Sequence, residues 1–321
     1  MTARPKVFAT RNVPTAVAAR LHRDYAAQVH TEDTPLDAEA ILAGAQGADA
    51  LIVTPPDKIT AEVIARLPES IRAIGCFSVG TNHVDLEAAK ARGLIVTNTP
   101  GVLTEATADI ALLLILGAAR RGYEGQRMLR TGTWTGWTPT QLLGVELGGK
   151  RLGVLGMGRI GQAVAQRARA FGMVVHYHNR RRLDPESEAG AVYHDTPEDL
   201  LAVSDILSLH FPATPETRRF LNAERLARLP EGAIVVNTAR GDVVDDDALI
   251  AALKHGRLFA AGLDVFAGEP DIHPGYYDLD NAYLLPHLGS ATVETRNAMG
   301  FMVLDNLDAV FAGTPPPNRV A

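Results

Sequence analysis

Leu152-Gly153-Val154-Leu155-Gly156-Met157-Gly158-Arg159-Ile160-Gly161 sets three glycines in the order G-x-G-x-x-G directly behind an apolar run. Residues 162–168 then carry helical spacing, and a second apolar run follows at 174–178. A lone glycine triplet says little, but one lying between a strand and a helix, with another strand next, marks a dinucleotide site. Gly156 permits the tight turn, Gly158 lets the backbone approach a pyrophosphate, and Gly161 lets helix and strand pack closely. The helix start at Arg159 and Ile160 offers free N–H groups and partial positive charge to the phosphates.

Eighteen residues after Gly161, where an NAD site carries an acid, stands Asn179, followed by Arg180, Arg181 and Arg182. A carboxylate there would bind a ribose 2′-hydroxyl and repel a 2′-phosphate. Asparagine removes the repulsion, and adjacent guanidinium groups can hold the phosphate through charge-assisted hydrogen bonds. The loop therefore predicts NADP(H) as the preferred cofactor, with NAD(H) as the alternative. An ordinary solvated charge run is the plainer account of the arginines.

Outward from this stretch the pattern alternates between short apolar runs and helical segments. Strands are expected at 6–10, 50–54, 71–77 and 94–97, with helices at 38–45 and 61–67 between them. The rhythm restarts with strands at 151–156, 174–178, 206–210, 233–237, 259–264 and 282–286, and helices at 161–171, 197–203, 223–229 and 245–255. Strand–helix alternation predicts an α/β protein with two doubly wound parallel-sheet domains, a Rossmann nucleotide domain and a flavodoxin-like domain. At about 150 residues per domain, 321 residues also suggest two. The dinucleotide domain is assigned to 101–289, and the other to 1–100 with 290–321, since a helical pattern at 292–311 follows a Gly-Ser turn.

Composition narrows the function. Hydrophobic residues make up 46% and charged residues 21%, which excludes disorder. A net charge of −6 gives no global attraction for nucleic acid or an anionic membrane. The longest apolar run, 110–119, is far short of the roughly 20 residues of a membrane span and reads as a buried helix. Residues 1–11 lack an apolar secretory core. The one cysteine, Cys76, allows no disulfide within the chain and fits the cytoplasm. Of the histidines only His176 and His178 are closely spaced, and they alternate across a strand, so no metal site is assigned.

Three polar residues stand at the ends of apolar strands, where open α/β sheets bind ligands: Arg240, Glu269 and His287. An arginine fork can hold the carboxylate and carbonyl oxygen of a 2-oxo acid. A histidine can supply a proton near neutral pH, and a carboxylate beside it orients the ring. Taken singly, each also reads as a surface ion-pair partner, a loop acid or a capped core histidine.

The chain resembles the D-isomer-specific 2-hydroxyacid dehydrogenase family over nearly its whole length. Seven blocks in order carry the resemblance: 78–85, 96–101, 104–109, 156–161, 237–241, 262–270 and 286–292. Within the family it looks most like the glyoxylate/hydroxypyruvate reductase branch, from Trp134-Thr135-Gly136-Trp137 and the Asn-Arg-Arg loop. The resemblance implies Arg240, Glu269 and His287 as the catalytic triad, and backbone amides of Val79 and Gly80 as receptors of the substrate carboxylate in a cleft between the domains. It implies that Thr107, His210, Pro212, Thr217, Thr238, Ala239, Asp264 and Gly289 line the cofactor. It also implies a homodimer joined through the nucleotide domain, with residues 106–119 and an arm at 134–143 as subunit contacts. Gln141 or Leu142 would then approach the partner's site, while core packing is the alternative for Trp134 and Trp137. Reduction of glyoxylate and hydroxypyruvate is the expected activity. Phosphoglycerate, sugar acids and aromatic pyruvates are alternative substrates, and a nucleotide-sensing binding protein is an alternative from another class.

Overall fold

The computed structural model describes residues 4–321, which form two compact units. One runs to Leu103 and takes back Ala291–Ala321; the other is Thr104–Ser290.

The first unit holds β1 (Lys6–Ala9), β2 (Ala26–Val29), β3 (Ala50–Val53), β4 (Ala73–Cys76) and β5 (Ile95–Thr97). They pair in the order β2-β1-β3-β4-β5, and every pairing is parallel. β3 and β4 are buried along their whole length, as a sheet covered on both faces requires. Helices Thr15–Asp24, Ala38–Gly44, Ala61–Arg66 and Leu86–Ala91 connect the strands. The last three begin at side-chain caps from Asp37, Thr60 and Asp85. The C-terminal helix Val293–Phe311 returns to this unit, where Met299, Val303, Leu304 and Leu307 join a core with Val7, Leu21 and Phe77.

The second unit holds β6 (Arg151–Leu155), β7 (Val174–His178), β8 (Val192–Tyr193), β9 (Ile206–Leu209), β10 (Ala233–Asn237), β11 (Leu258–Leu263) and β12 (Ala282–Leu284). The order is β12-β11-β10-β9-β6-β7-β8, again parallel throughout. The chain leaves β6 in one direction and returns at β9 in the other. The carboxyl ends of β6 and β9 therefore form the switch point at which such sheets bind ligands.

Several elements differ from the sequence expectation. β2 and β8 are short edge strands without a buried run, so they carry no apolar signal. Helices Thr15–Asp24, Leu86–Ala91 and Gly122–Arg130 are additions to the expected set; Gly122–Arg130 buries no residue. Helix Thr104–Ala119 turns most of the expected contact segment 106–119 inward. Ala106, Ala108, Ala111, Leu112, Leu114, Ile115, Ala118 and Ala119 are buried, and most join the core of their own unit; Leu113 is exposed. The arm at 134–143 forms neither helix nor strand. Trp134 is 51% and Trp137 79% exposed, so core packing does not account for them. Among the described residues no helix is long and apolar enough to cross a membrane.

Candidate active site

The glycine loop leaves β6 as the sequence requires. Gly156 has φ +97°, and a Cβ there would stand 2.7 Å from the carbonyl of His210. A Cβ on Gly161 would meet the Gly156 carbonyl oxygen at 2.4 Å, which fixes how closely the helix crosses the turn. A Cβ on Gly158 would meet nothing within 4 Å, so the backbone before helix Arg159–Ala170 faces open space. An open cradle at the amino end of a twelve-residue helix fits a dinucleotide pyrophosphate.

Asn179 stands directly after β7. Its Oδ1 accepts the amide of Met157 at 2.6 Å, so the side chain braces the glycine loop. The three arginines part company here. Arg182 donates Nε to Glu188 Oε1 at 2.7 Å and lies 5.5 Å over the Tyr193 ring. Its guanidinium is thereby paired within the chain, although the side chain is 63% exposed. Arg180 and Arg181 are exposed.

His210 follows β9, hydrogen-bonded to Ser208 Oγ at 2.7 Å. Burial pushes its pKa down to about 4, so the ring is neutral at physiological pH. Thr217 Oγ1 donates to the Pro212 carbonyl at 2.8 Å, closing the loop that carries both. Thr107 Oγ1 donates to the Gly289 carbonyl at 3.2 Å, bringing the start of the long apolar helix to that loop. Asp264, just past β11, accepts the amides of Leu288 and Gly289 at 2.6 and 2.8 Å. Burial raises the pKa of this carboxyl, and the two amide bonds oppose the shift.

Glu269 and His287, eighteen residues apart, meet directly: His287 Nδ1 lies 2.8 Å from Glu269 Oε2. Glu269 Oε1 accepts the Phe266 amide at 2.7 Å, so both carboxyl oxygens are fixed. Burial pushes this carboxyl upward, but the hydrogen bond and charge of His287, the Phe266 amide and the charge of Arg240 together hold it below its ordinary range. His287 has φ +56°, a left-handed conformation uncommon for a side-chain-bearing residue. It is held there by its amide bond to the Leu285 carbonyl, 3.1 Å, and by the Asp264 clamp on the next two residues.

Arg240 lies in the turn after β10. Burial pushes its guanidinium pKa down, and the charges of Glu269 and Asp242 oppose the shift. Its Nη1 donates to the Ala239 carbonyl at 2.6 Å. The turn itself is built by Asn237, a residue sequence reasoning passed over. Asn237 Oδ1 accepts the Ala239 amide at 2.9 Å, and Nδ2 donates to the Arg240 carbonyl at 2.9 Å. Thr238 adds a 3.4 Å contact to His210 Nδ1. Gly241 allows this turn to lie against the turn before Glu269, since a Cβ would sit 1.8 Å from the Phe266 carbonyl carbon.

Val79 and Gly80 belong to the first unit, in the turn beyond β4; Val79 is 37% exposed. His176 Nδ1 pairs with His194 Nε2 at 2.9 Å rather than with His178, and among the described residues no cluster of three metal-ligating side chains occurs.

Comparison with known proteins places these features in context. A family model described as D-isomer specific 2-hydroxyacid dehydrogenase, NAD binding domain, matches residues 112–289. The glycerate dehydrogenase of Hyphomicrobium methylovorum is 47% identical over 310 residues, 96% of each chain. Among solved structures, a putative D-isomer specific 2-hydroxyacid dehydrogenase from Polaromonas sp. JS6 66 superposes with TM-score 0.95 at 50% identity, covering 99% of this chain and 100% of that one. The NADPH-dependent glyoxylate/hydroxypyruvate reductase of Sinorhizobium meliloti, solved with NADP and malonate, gives TM-score 0.88 at 34% identity over 99% and 97%.

Proposed function

The chain belongs to the D-isomer specific 2-hydroxyacid dehydrogenase family, and we propose that it reduces small 2-oxo acids, glyoxylate and hydroxypyruvate foremost, with NADPH as preferred cofactor. One observation carries this reading: the 2.8 Å contact of His287 with a Glu269 carboxyl held ionised, within the electrostatic reach of Arg240.

The residues divide the work. Arg240, charged at all physiological pH, presents a planar fork to the substrate carboxylate and carbonyl oxygen. The amides of Val79 and Gly80 take the carboxylate. Glu269 engages Nδ1 of His287, which leaves Nε2 to face the substrate and donate a proton to the oxygen as it becomes an alkoxide. When bound, the dinucleotide supplies the hydride that reduces the carbonyl carbon. Gly156, Gly158, Arg159, Ile160 and Gly161 hold its pyrophosphate, while Asn179, Arg180 and Arg181 border its 2′ position. Neutral His210, with Pro212, Thr217, Thr238, Ala239, Asp264, Gly289 and Thr107, lines the rest. Fixed dipoles and charges at the reacting oxygen account for most of the expected acceleration.

The preference for NADPH is supported by the missing acid at Asn179 and by two exposed arginines beside it. The name of the S. meliloti relative points the same way. We place the enzyme in the cytoplasm as a homodimer, with exposed Leu113, Trp134, Trp137 and Leu143 of the nucleotide unit at the contact. Steady oxidation of NADPH with glyoxylate and hydroxypyruvate, faster than with phosphorylated or aromatic 2-oxo acids, tests the assignment. Tight NADPH binding without turnover on any such acid would reject it in favour of a nucleotide sensor.

A further inference from the structure

We propose that Asn98 is a positioning residue for the substrate carboxylate, acting through the peptide units that follow β4. The proposal rests on the reading that Val79 and Gly80 receive that carboxylate. Three successive carbonyls in this turn are already taken. Ser78 O accepts the Thr99 amide at 2.9 Å, Val79 O accepts Asn98 Nδ2 at 2.8 Å, and Gly80 O accepts Ser78 Oγ at 2.7 Å. In a trans peptide the N–H points opposite to the C=O of the same unit. The amides of Val79 and Gly80 are therefore turned away from residues 98–99, and that of Thr81 away from the Ser78 hydroxyl, as a set of donors. Such a set is an anion-binding concavity.

The middle unit depends on a side chain, and that side chain is braced in turn. The Asn98 amide donates to the Asn318 carbonyl at 3.2 Å. Asn318 is held by Asn306, whose Oδ1 accepts the Asn318 amide at 3.0 Å and whose Nδ2 donates to Asn318 Oδ1 at 3.3 Å. Asn306 is fully buried in an otherwise apolar helical face, beside Leu304 and Leu307. The bracing explains why a polar residue is kept there: a buried amide is tolerable when its hydrogen bonds are made. Asparagine also suits position 98 electrically, because aspartate could not donate to Val79 O and would set a negative charge beside an incoming carboxylate.

The test compares Asn98→Ala, Asn98→Asp and Gly80→Pro as full-length enzymes. The readouts are KM and kcat for glyoxylate, inhibition by oxamate as an unreactive carboxylate, and NADPH dissociation by fluorescence titration. Asn98→Ala is expected to raise KM and the oxamate inhibition constant about five- to tenfold, the worth of one hydrogen bond, with a smaller change in kcat and NADPH affinity kept. Asn98→Asp is expected to raise KM further at pH 7.5 and to begin recovering, relative to wild type at the same pH, only as the pH falls towards about 4, the ordinary aspartate range, because a protonated acid regains a donor. Unmoved KM in both Asn98 variants, a pH-independent Asn98→Asp, or NADPH affinity falling in step with KM would each overturn the proposal. Gly80→Pro deletes the amide itself. If it alone raises KM, the carboxylate reading stands and the role of Asn98 falls; if it leaves KM unchanged, both fall.

Discussion

On the proposed NADPH preference, the double substitution Asn179→Asp with Arg180→Ser, in the loop after β7, should turn the enzyme from NADPH towards NADH. The structure limits what each change does. Asn179 Oδ1 accepts the Met157 amide at 2.6 Å, and an aspartate oxygen can accept the same bond, so the glycine loop should survive. Arg182 is already paired with Glu188, which leaves Arg180 and Arg181 as the unpaired cations for the proposed 2′ contact. Removing one of two charge-assisted contacts costs about 1.5–3 kcal/mol of NADPH binding, roughly ten- to hundredfold. The new carboxylate opposes the 2′-phosphate by about another 1–2 kcal/mol at a surface-like dielectric, and it offers NADH a partner for its 2′-hydroxyl. The ratio of kcat/KM for NADPH over NADH should therefore fall by about two to three orders of magnitude. The assay is initial-rate oxidation of each cofactor at saturating glyoxylate, repeated at two salt concentrations. The wild-type preference should weaken with salt, and that of the double variant should not. A ratio that stays fixed would mean the 2′ group is recognised elsewhere, and the arginines would be a solvated loop.

Three further outcomes follow from the geometry. His287→Ala should lower kcat for reduction by about two to four decades with NADPH binding intact; rates near wild type in stopped-flow traces would remove the imidazole from proton transfer. Arg240→Lys keeps a cation but loses the fork, and kcat/KM for glyoxylate should drop roughly ten- to hundredfold; unchanged kinetics would put the carboxylate elsewhere. Gly241→Ala would press a methyl group into the Phe266–Ala267 peptide, 1.8–2.0 Å away. Its cost should reach or exceed the roughly 1–3 kcal/mol of ordinary overpacking, read as a lower melting temperature together with lost activity. A stable, active Gly241→Ala enzyme would show that the two turns need not touch.

The legible features are those in which a whole stretch obeys one constraint. β3, β4, β9 and β10 are buried along their full length and read as apolar runs. The glycine loop is legible because a Cβ at Gly156 would stand 2.7 Å from the His210 carbonyl, which excludes every other residue there. Glu269 and His287 stand out as polar residues at strand ends, and the structure brings them to 2.8 Å. The edge strands β2 and β8 lack any such run. In the arginine triplet, three identical neighbours give no sign of which one is already engaged. The answer lies in Glu188, six residues on from Arg182, whose carboxylate also accepts the Tyr177 hydroxyl at 2.7 Å.

The least legible roles share a chemistry. Asn98 and Asn179 each directly follow a strand, and Asn237 is the last residue of one. Each spends its amide on a backbone turn: Asn98 on the Val79 carbonyl, Asn179 on the Met157 amide and, at 3.5 Å, the Met157 carbonyl, Asn237 on both the Ala239 amide and the Arg240 carbonyl. Asparagine is suited to this because it donates and accepts at once and carries no charge. Where only amides need holding, the chain uses an acid instead: Asp264 accepts from Leu288 and Gly289 and donates to neither. A phosphate and a carboxylate are the anions these turns are proposed to meet, so a brace without charge leaves the field of the donors and guanidinium groups undiminished. Such residues leave no periodic trace in the sequence, since what they orient is a peptide bond rather than a side chain. The sequence therefore displays Arg240, Glu269, His287 and the position of Asn179, while the backbone bracing by all three asparagines becomes visible only as hydrogen bonds.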